Sequence, residues 1–105
     1  MRFVETPTFT RVIDRLLDDD EYRSLQVALM LRPEQGPLIR GGGGLRKVRW
    51  ARPGGGKSGG LRVIYYWAAT ETAFYMLYAY AKNEQGDLTA AQTRALSQLV
   101  REEFK

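Results

Sequence analysis

Apolar residues recur along this chain at two different periods, and the switch between them divides it. Phe9, Val12, Ile13, Leu16 and Leu17 stand at i, i+3, i+4, i+7 and i+8, the stripe of an amphipathic helix. Thr6-Pro7 ahead of them reads as an N-cap followed by proline at the first helical position, where the missing N–H has no helical partner to lose. Asp18, Asp19 and Asp20 oppose the dipole of a helix C-terminus. They suit the start of a second helix, with Asp20 or Asp19 as its cap. Tyr22, Leu25, Ala28 and Leu29 supply the buried face of that helix, and Pro33 stops it. The two helices form an α-hairpin, and the preceding RFVET is an edge strand.

Beyond the loop PEQGPLIRGGGG the pattern turns extended. GLRKVRWA, LRVIYYWA and TAFYMLYAYA are three runs rich in β-branched and aromatic residues, separated by glycine-rich or polar turns. They predict an antiparallel meander. NEQGDLT is then a turn, and Thr89 with Gln92 makes a capping box ahead of Ala95, Leu96, Leu99 and Val100, the face of a C-terminal helix. The expected order is β-α-α-β-β-β-α: a single α+β domain over residues 1–105, with an antiparallel sheet, a helical hairpin and a C-terminal helix, the helices on one face of the sheet.

Composition narrows the chemistry. The chain has no cysteine, which excludes disulfides and thiolate-held metals, and no histidine, the usual general base and commonest metal ligand. With no secretory leader and no apolar run of membrane-spanning length, a cytoplasmic protein is expected, with no cofactor and no metal. The net charge of +4 is unevenly spread. From Gln35 to Thr70 there is no acidic residue, yet Arg40, Arg46, Lys47, Arg49, Arg52, Lys57 and Arg62 all fall there. A basic segment between acidic flanks points to a polyanionic partner, nucleic acid foremost.

Within that segment ARPGGGKSGG, residues 51–60, resembles a phosphate-binding loop but lacks its first glycine, since Ala51 stands there. Such a loop needs a helix directly behind it, to supply a dipole and a nest of amides. LRVIYYWA follows instead, a strand pattern, so the segment is read as a long β-hairpin connection that carries Lys57 toward an anion. Alternation in LRKVRWA points Val48 and Trp50 one way and Lys47 and Arg49 the other, onto the face away from the helices. Arg62 begins the neighbouring strand and Lys82 ends the last one, so Lys47, Arg49, Lys57, Arg62 and Lys82 are expected to converge on one face. Of Tyr65, Tyr66, Trp67, Phe74, Tyr75, Tyr78 and Tyr80, most belong to the core, and one or two on the open face are placed to stack RNA bases.

The stretch GLRKVRWARPGGGKSGGLRVIYYW together with YAYAKNEQGDLT resembles the HigB-type branch of the RelE/ParE superfamily of toxin–antitoxin toxins, closely over residues 41–89. The helical hairpin and last helix match the family layout. The resemblance implies a RelE-like fold and a ribosome-dependent mRNA endonuclease, or mRNA interferase, acting in the ribosomal A site and inhibiting translation. It implies neutralisation by a cognate antitoxin, often one with a helix-turn-helix domain. Lys47 and Arg49 match the family's basic pair on the second strand. Lys57 matches the loop lysine, Arg62 the arginine opening the third strand, and Lys82 the basic residue ending the fourth. Some relatives add a C-terminal tyrosine to the active site, but no tyrosine follows Tyr80 here.

The expected reaction is attack of a 2′-hydroxyl on the adjacent phosphate, without metal. Lys57 or Lys82 is the candidate for proton transfer, because neighbouring cations disfavour a charged ammonium, with Lys47 as a weaker one. Arg49 and Arg62, always protonated, clamp the phosphate. Arg46 and Arg52 join Lys47, Arg49 and Lys57 as contacts to the RNA backbone. Two alternatives stay open: a ParE-like DNA gyrase inhibitor on the same scaffold, and a basic RNA-binding module without catalysis.

Overall fold

The computed structural model describes residues 1–51 and 60–104. Strand β1 (Arg2–Glu5) leads into helix α1 (Pro7–Leu16) and helix α2 (Asp19–Leu31). Strands β2 (Arg46–Trp50), β3 (Leu61–Ala68) and β4 (Ala73–Ala81) follow, and helix α3 (Ala90–Phe104) comes last. This is the expected α+β order.

Each helix begins where its side chains satisfy the free amides. The Thr6 hydroxyl accepts from the Phe9 N–H at 3.0 Å, with Pro7 opening α1. Asp18, not Asp19 or Asp20, caps α2, accepting from the Glu21 N–H at 2.7 Å while the Glu21 carboxylate accepts from the Asp18 N–H at 2.9 Å. The reason is spacing: only Asp18 has a glutamate three residues on to complete a reciprocal box. Thr89 and Gln92 form the same device at α3, at 2.9 and 3.0 Å.

The four strands lie in the order β1-β4-β3-β2. β2, β3 and β4 make the expected antiparallel meander, whereas β1 joins the edge of β4 in parallel. The Glu5 carboxylate then ties β1 to both helices, accepting from the Thr10 and Tyr22 hydroxyls at 2.6 Å each. Burial, reinforced by that carboxylate, pushes the Tyr22 phenol far up, so it stays a donor.

The sheet is covered on both faces, which corrects the expectation that all helices share one. Phe9, Ile13, Leu25 and Leu29 of the hairpin pack with Val48, Val63, Tyr65, Phe74 and Met76 on one side. On the other, Val100 of α3 packs with Leu45, Ile64, Leu77 and Tyr80, flanked by Leu96 and Leu99. The cause lies in β3 and β4, whose residues are buried almost without alternation, as in strands sandwiched between layers. No described helix is long and apolar enough to cross a membrane.

The connection from α2 to β2 is pinned to the sheet. Buried Tyr65 donates to the Pro33 carbonyl at 2.7 Å and accepts from the Gly36 N–H at 3.1 Å. Residues 37–39 then run beside β2, with the Lys47 N–H bound to the Pro37 carbonyl and the Ile39 N–H to the Leu45 carbonyl. An otherwise bare sheet edge is thereby partly covered. At the far end of β2, Gly60 has a φ of 68°, and a Cβ there would stand 2.5 Å from the Trp50 carbonyl oxygen. Only glycine fits where the chain enters β3.

Candidate functional site

The cross-strand register builds the site. On the α3 side of the sheet, Arg49 of β2 lies opposite Arg62 of β3, and Arg62 opposite Tyr80 of β4. The adjacent row is Lys47, Ile64 and Tyr78. The Arg49–Arg62–Tyr80 row lies nearer Gly60, and Ile64, Tyr78 and Tyr80 of the two rows also join the apolar cluster with Val100 of α3. The cations therefore share a face with α3 instead of occupying a helix-free one.

Each side chain has a distinct setting. Arg49 is exposed, whereas Arg62 is only 8% exposed. Two arginines directly opposed across a strand pair repel, an arrangement suited to an anion shared between them. Lys82 follows β4, its N–H bound to the Gly60 carbonyl and its ammonium donating to the Gly86 carbonyl at 3.0 Å. The Lys47 ammonium donates to Asp87 at 3.1 Å. The structure thus brings Lys47, Arg49, Arg62 and Lys82 to one end of the sheet. Arg46 is not among them. It points to the opposite face, donating to the Gly36 carbonyl at 2.9 Å and the Glu34 carbonyl at 3.1 Å, and pairing with the Glu34 carboxylate at 3.3 Å. There it fastens the loop after α2. Arg52, Lys57 and the glycine-rich stretch around them lie outside the described residues. The run behind them is strand β3, not the helix that a nucleotide-binding loop needs.

Asp87 is the residue that sequence reasoning did not bring to this place. Besides Lys47 it accepts from the Tyr80 hydroxyl at 3.4 Å and the Leu88 N–H at 2.8 Å. The Lys47 ammonium, helped by the Leu88 N–H, holds its carboxyl below the usual aspartate range. Burial first, then the Asp87 charge, pushes the Tyr80 phenol up. Asp87 is therefore a fixed anion that orients one ammonium and one phenol. Its signal was the capping box: Thr89 and Gln92 fix where α3 begins, and so where the turn from Lys82 must end.

The aromatics divide between the two faces. Tyr65, Trp67 and Phe74 belong to the hairpin-side core, with Trp67 and Phe74 ring centroids 4.5 Å apart. Tyr66, Tyr75 and Tyr78 lie partly exposed on the α3 side, and the rings of Tyr78 and Tyr80 are 6.0 Å apart. Tyr78 accepts from Gln92 at 3.4 Å and donates to Gln85 at 3.2 Å, so the same turn positions it. Among the described residues no three acidic side chains gather in a metal-binding group.

A sheet end that gathers lysines and arginines, beside an anchored phenol, is equipped to hold an anionic group and to move protons near it. Comparison with protein families agrees with the superfamily of the sequence resemblance and does not reach its HigB-type branch. The family described as "RelE toxin of RelE / RelB toxin-antitoxin system" matches residues 1–105, and the chain belongs to that toxin family, whose members are paired with an antitoxin.

Proposed function

We propose that this toxin is a metal-independent endoribonuclease of the HigB-type branch, cutting messenger RNA on the ribosome in the cytoplasm and so stopping translation. The observation that carries the reading is the cross-strand row Arg49–Arg62–Tyr80 with Lys47 beside it, which draws cations from two strands to one point. A gyrase-binding surface has no need of such a row.

In the proposed reaction a ribose 2′-hydroxyl attacks the adjacent phosphorus. The bond to the 5′-oxygen breaks, leaving a cyclic phosphate and a free 5′-hydroxyl. Charge grows on the phosphoryl oxygens as this happens. Arg49 and Arg62, opposed across the strand pair, stabilise it with planar donors that a lysine cannot reproduce. One proton must leave the 2′-hydroxyl and another must reach the departing oxygen. Lys82 and Lys57 are assigned to these transfers. Lys47, held by Asp87, orients the strand through its phosphate. The antitoxin partner, expected to carry a helix-turn-helix domain, restrains this activity.

The test uses purified toxin, ribosomes programmed with a defined message, and EDTA throughout. Cleavage should proceed in EDTA and fall about 100-fold or more in Arg62→Lys, the scale of losing one transition-state donor. A variant that folds normally and cuts at the parental rate would contradict the assignment of Arg62. Arrest of DNA replication before translation in cells would favour the gyrase reading instead.

A further inference from the structure

The turn from Ala81 to Leu88 carries Lys82 and Asp87 into the candidate site, and three elements hold it. Asp87 reaches β2 through Lys47 at 3.1 Å, and Gln85 reaches α3 through Gln92 at 2.6 Å. Glu84 reaches the helical hairpin. Its carboxylate accepts two parallel bonds from the Arg15 guanidinium near the end of α1, Nη1 to Oε2 at 3.1 Å and Nη2 to Oε1 at 3.3 Å. Inside the turn the Glu84 and Gln85 N–H groups both donate to the Ala81 carbonyl, and the Lys82 ammonium donates to the Gly86 carbonyl at 3.0 Å. Wherever Glu84 is drawn, that ammonium is carried with it.

We propose that Arg15 and Glu84 are positioning residues: their fork fixes the turn against the hairpin and so sets where Lys82 presents its ammonium. The catalytic consequence rests on the ribonuclease reading, whereas the tie itself does not. Stability gives the pair little to do, because its side chains are 57% and 50% exposed and exposed pairs add little to folding. A basic residue in the last turn of α1 also answers the helix dipole without meeting any carboxylate. What the pair has beyond either role is geometry. Two parallel bonds between planar groups fix direction as well as distance, which a single ammonium cannot do. They join residues 69 apart in sequence, linking the layer on one face of the sheet to a turn that serves the other. A misplacement of about 1 Å at a reacting group can slow a reaction about 100-fold, so a modest loosening of this turn has a measurable effect on rate.

The experiment compares the full-length parent with Arg15→Ala, with Arg15→Lys, and with the reversal that joins Arg15→Glu to Glu84→Arg. Arg11→Ala serves as control, an exposed arginine of the same helix with no partner among the described residues. Amide hydrogen exchange reads the turn, and cleavage of a message on programmed ribosomes reads the site. In Arg15→Ala the Glu84 and Gln85 amides should exchange about 10-fold faster while the interior amides of β3 and β4 hold. The same variant should lose about 10-fold in kcat with KM within about 2-fold, the pattern of a group needed in the transition state alone. Its Tm should stay within about 2 °C of the parent. Arg15→Lys should fall between, the reversal should recover most of both losses, and Arg11→Ala should match the parent in kcat and exchange. Parental exchange and parental kcat in Arg15→Ala would overturn the proposal, and faster exchange in the turn with parental kcat would overturn its link to Lys82. A loss spread over the whole sheet, or one that the reversal does not recover, would mark a folding defect and overturn it equally. Faster exchange confined to the turn, with a parent that cuts nothing, would sink the ribonuclease reading and leave the tie standing.

Discussion

Tyr65→Phe removes one oxygen atom, and the structure specifies what that atom does. The hydroxyl donates to the Pro33 carbonyl at 2.7 Å and accepts from the Gly36 N–H at 3.1 Å, bridging β3 to the loop after α2. Burial pushes the phenol's pKa up, so it remains a donor across the physiological range. Phenylalanine keeps the ring in its place beside Phe74, so the packing term is nearly unchanged. The loss is therefore polar. Gly36 is buried, and its stranded N–H costs about 1–3 kcal/mol. The Pro33 carbonyl is only partly buried and recovers a water, adding little. A destabilisation of about 2 kcal/mol follows, which for a domain of this size lowers Tm by about 8 °C or more. Thermal unfolding by circular dichroism measures it. Hydrogen exchange locates it, because the Lys47 amide bound to Pro37 should lose protection before the interior amides of β3 and β4 do. A Tm within about 2 °C of the parent, or uniform exchange across the sheet, would refute the claim that Tyr65 holds this loop.

Three further outcomes follow from single contacts. Asp87→Asn should flatten the acid limb of a stability–pH profile. The carboxyl's folded pKa lies below its unfolded value, so its contribution is complete above the ordinary aspartate pKa of 3.8 and lost as pH falls through the folded value. Because the pair is largely exposed, the effect should stay under about 1 kcal/mol, and an unchanged profile would show that Lys47 does not hold Asp87 in solution. Asp18→Ala should cost about 1 kcal/mol by chemical denaturation, whereas Asp19→Ala and Asp20→Ala should not lose a cap; equal losses at all three would contradict the assignment of the cap to Asp18. Gly60→Ala should be strongly destabilising, since its Cβ would collide with the Trp50 carbonyl, and a parental Tm would refute that geometry.

The helical hairpin was legible because its signals are local. Thr6-Pro7 and the Phe9-to-Leu17 stripe act within one or two turns, and so does the Thr89–Gln92 box. The choice among Asp18, Asp19 and Asp20 is equally local, since Asp18 alone has a glutamate, Glu21, three residues on. What stayed hidden depends on residues distant in sequence. The parallel pairing of β1 with β4 joins residues about seventy apart and leaves no turn chemistry to read. The covering of both faces was present in LRVIYYWA and AFYMLYAY, runs too continuously apolar for a half-solvated sheet, but reading it means giving up strict alternation. At the site, alternation along β2 correctly separates Lys47 and Arg49 from Val48 and Trp50. The same alternation sends Arg46 to the far face, where only the fold reveals Glu34 and Gly36 as its partners. Asp87 meets its partners Lys47 and Tyr80 only once the turn after β4 has closed.

The most direct test of the central claim is a map of cellular mRNA 5′ ends after brief induction of the toxin, comparing the parent with Arg62→Lys. The account predicts new 5′-hydroxyl ends within translated reading frames for the parent, and their near disappearance in a variant that is folded and equally abundant. New ends of equal number and position in both would contradict a phosphate clamp at Arg62. No new ends in the parent, with translation nonetheless arrested, would contradict RNA cleavage itself.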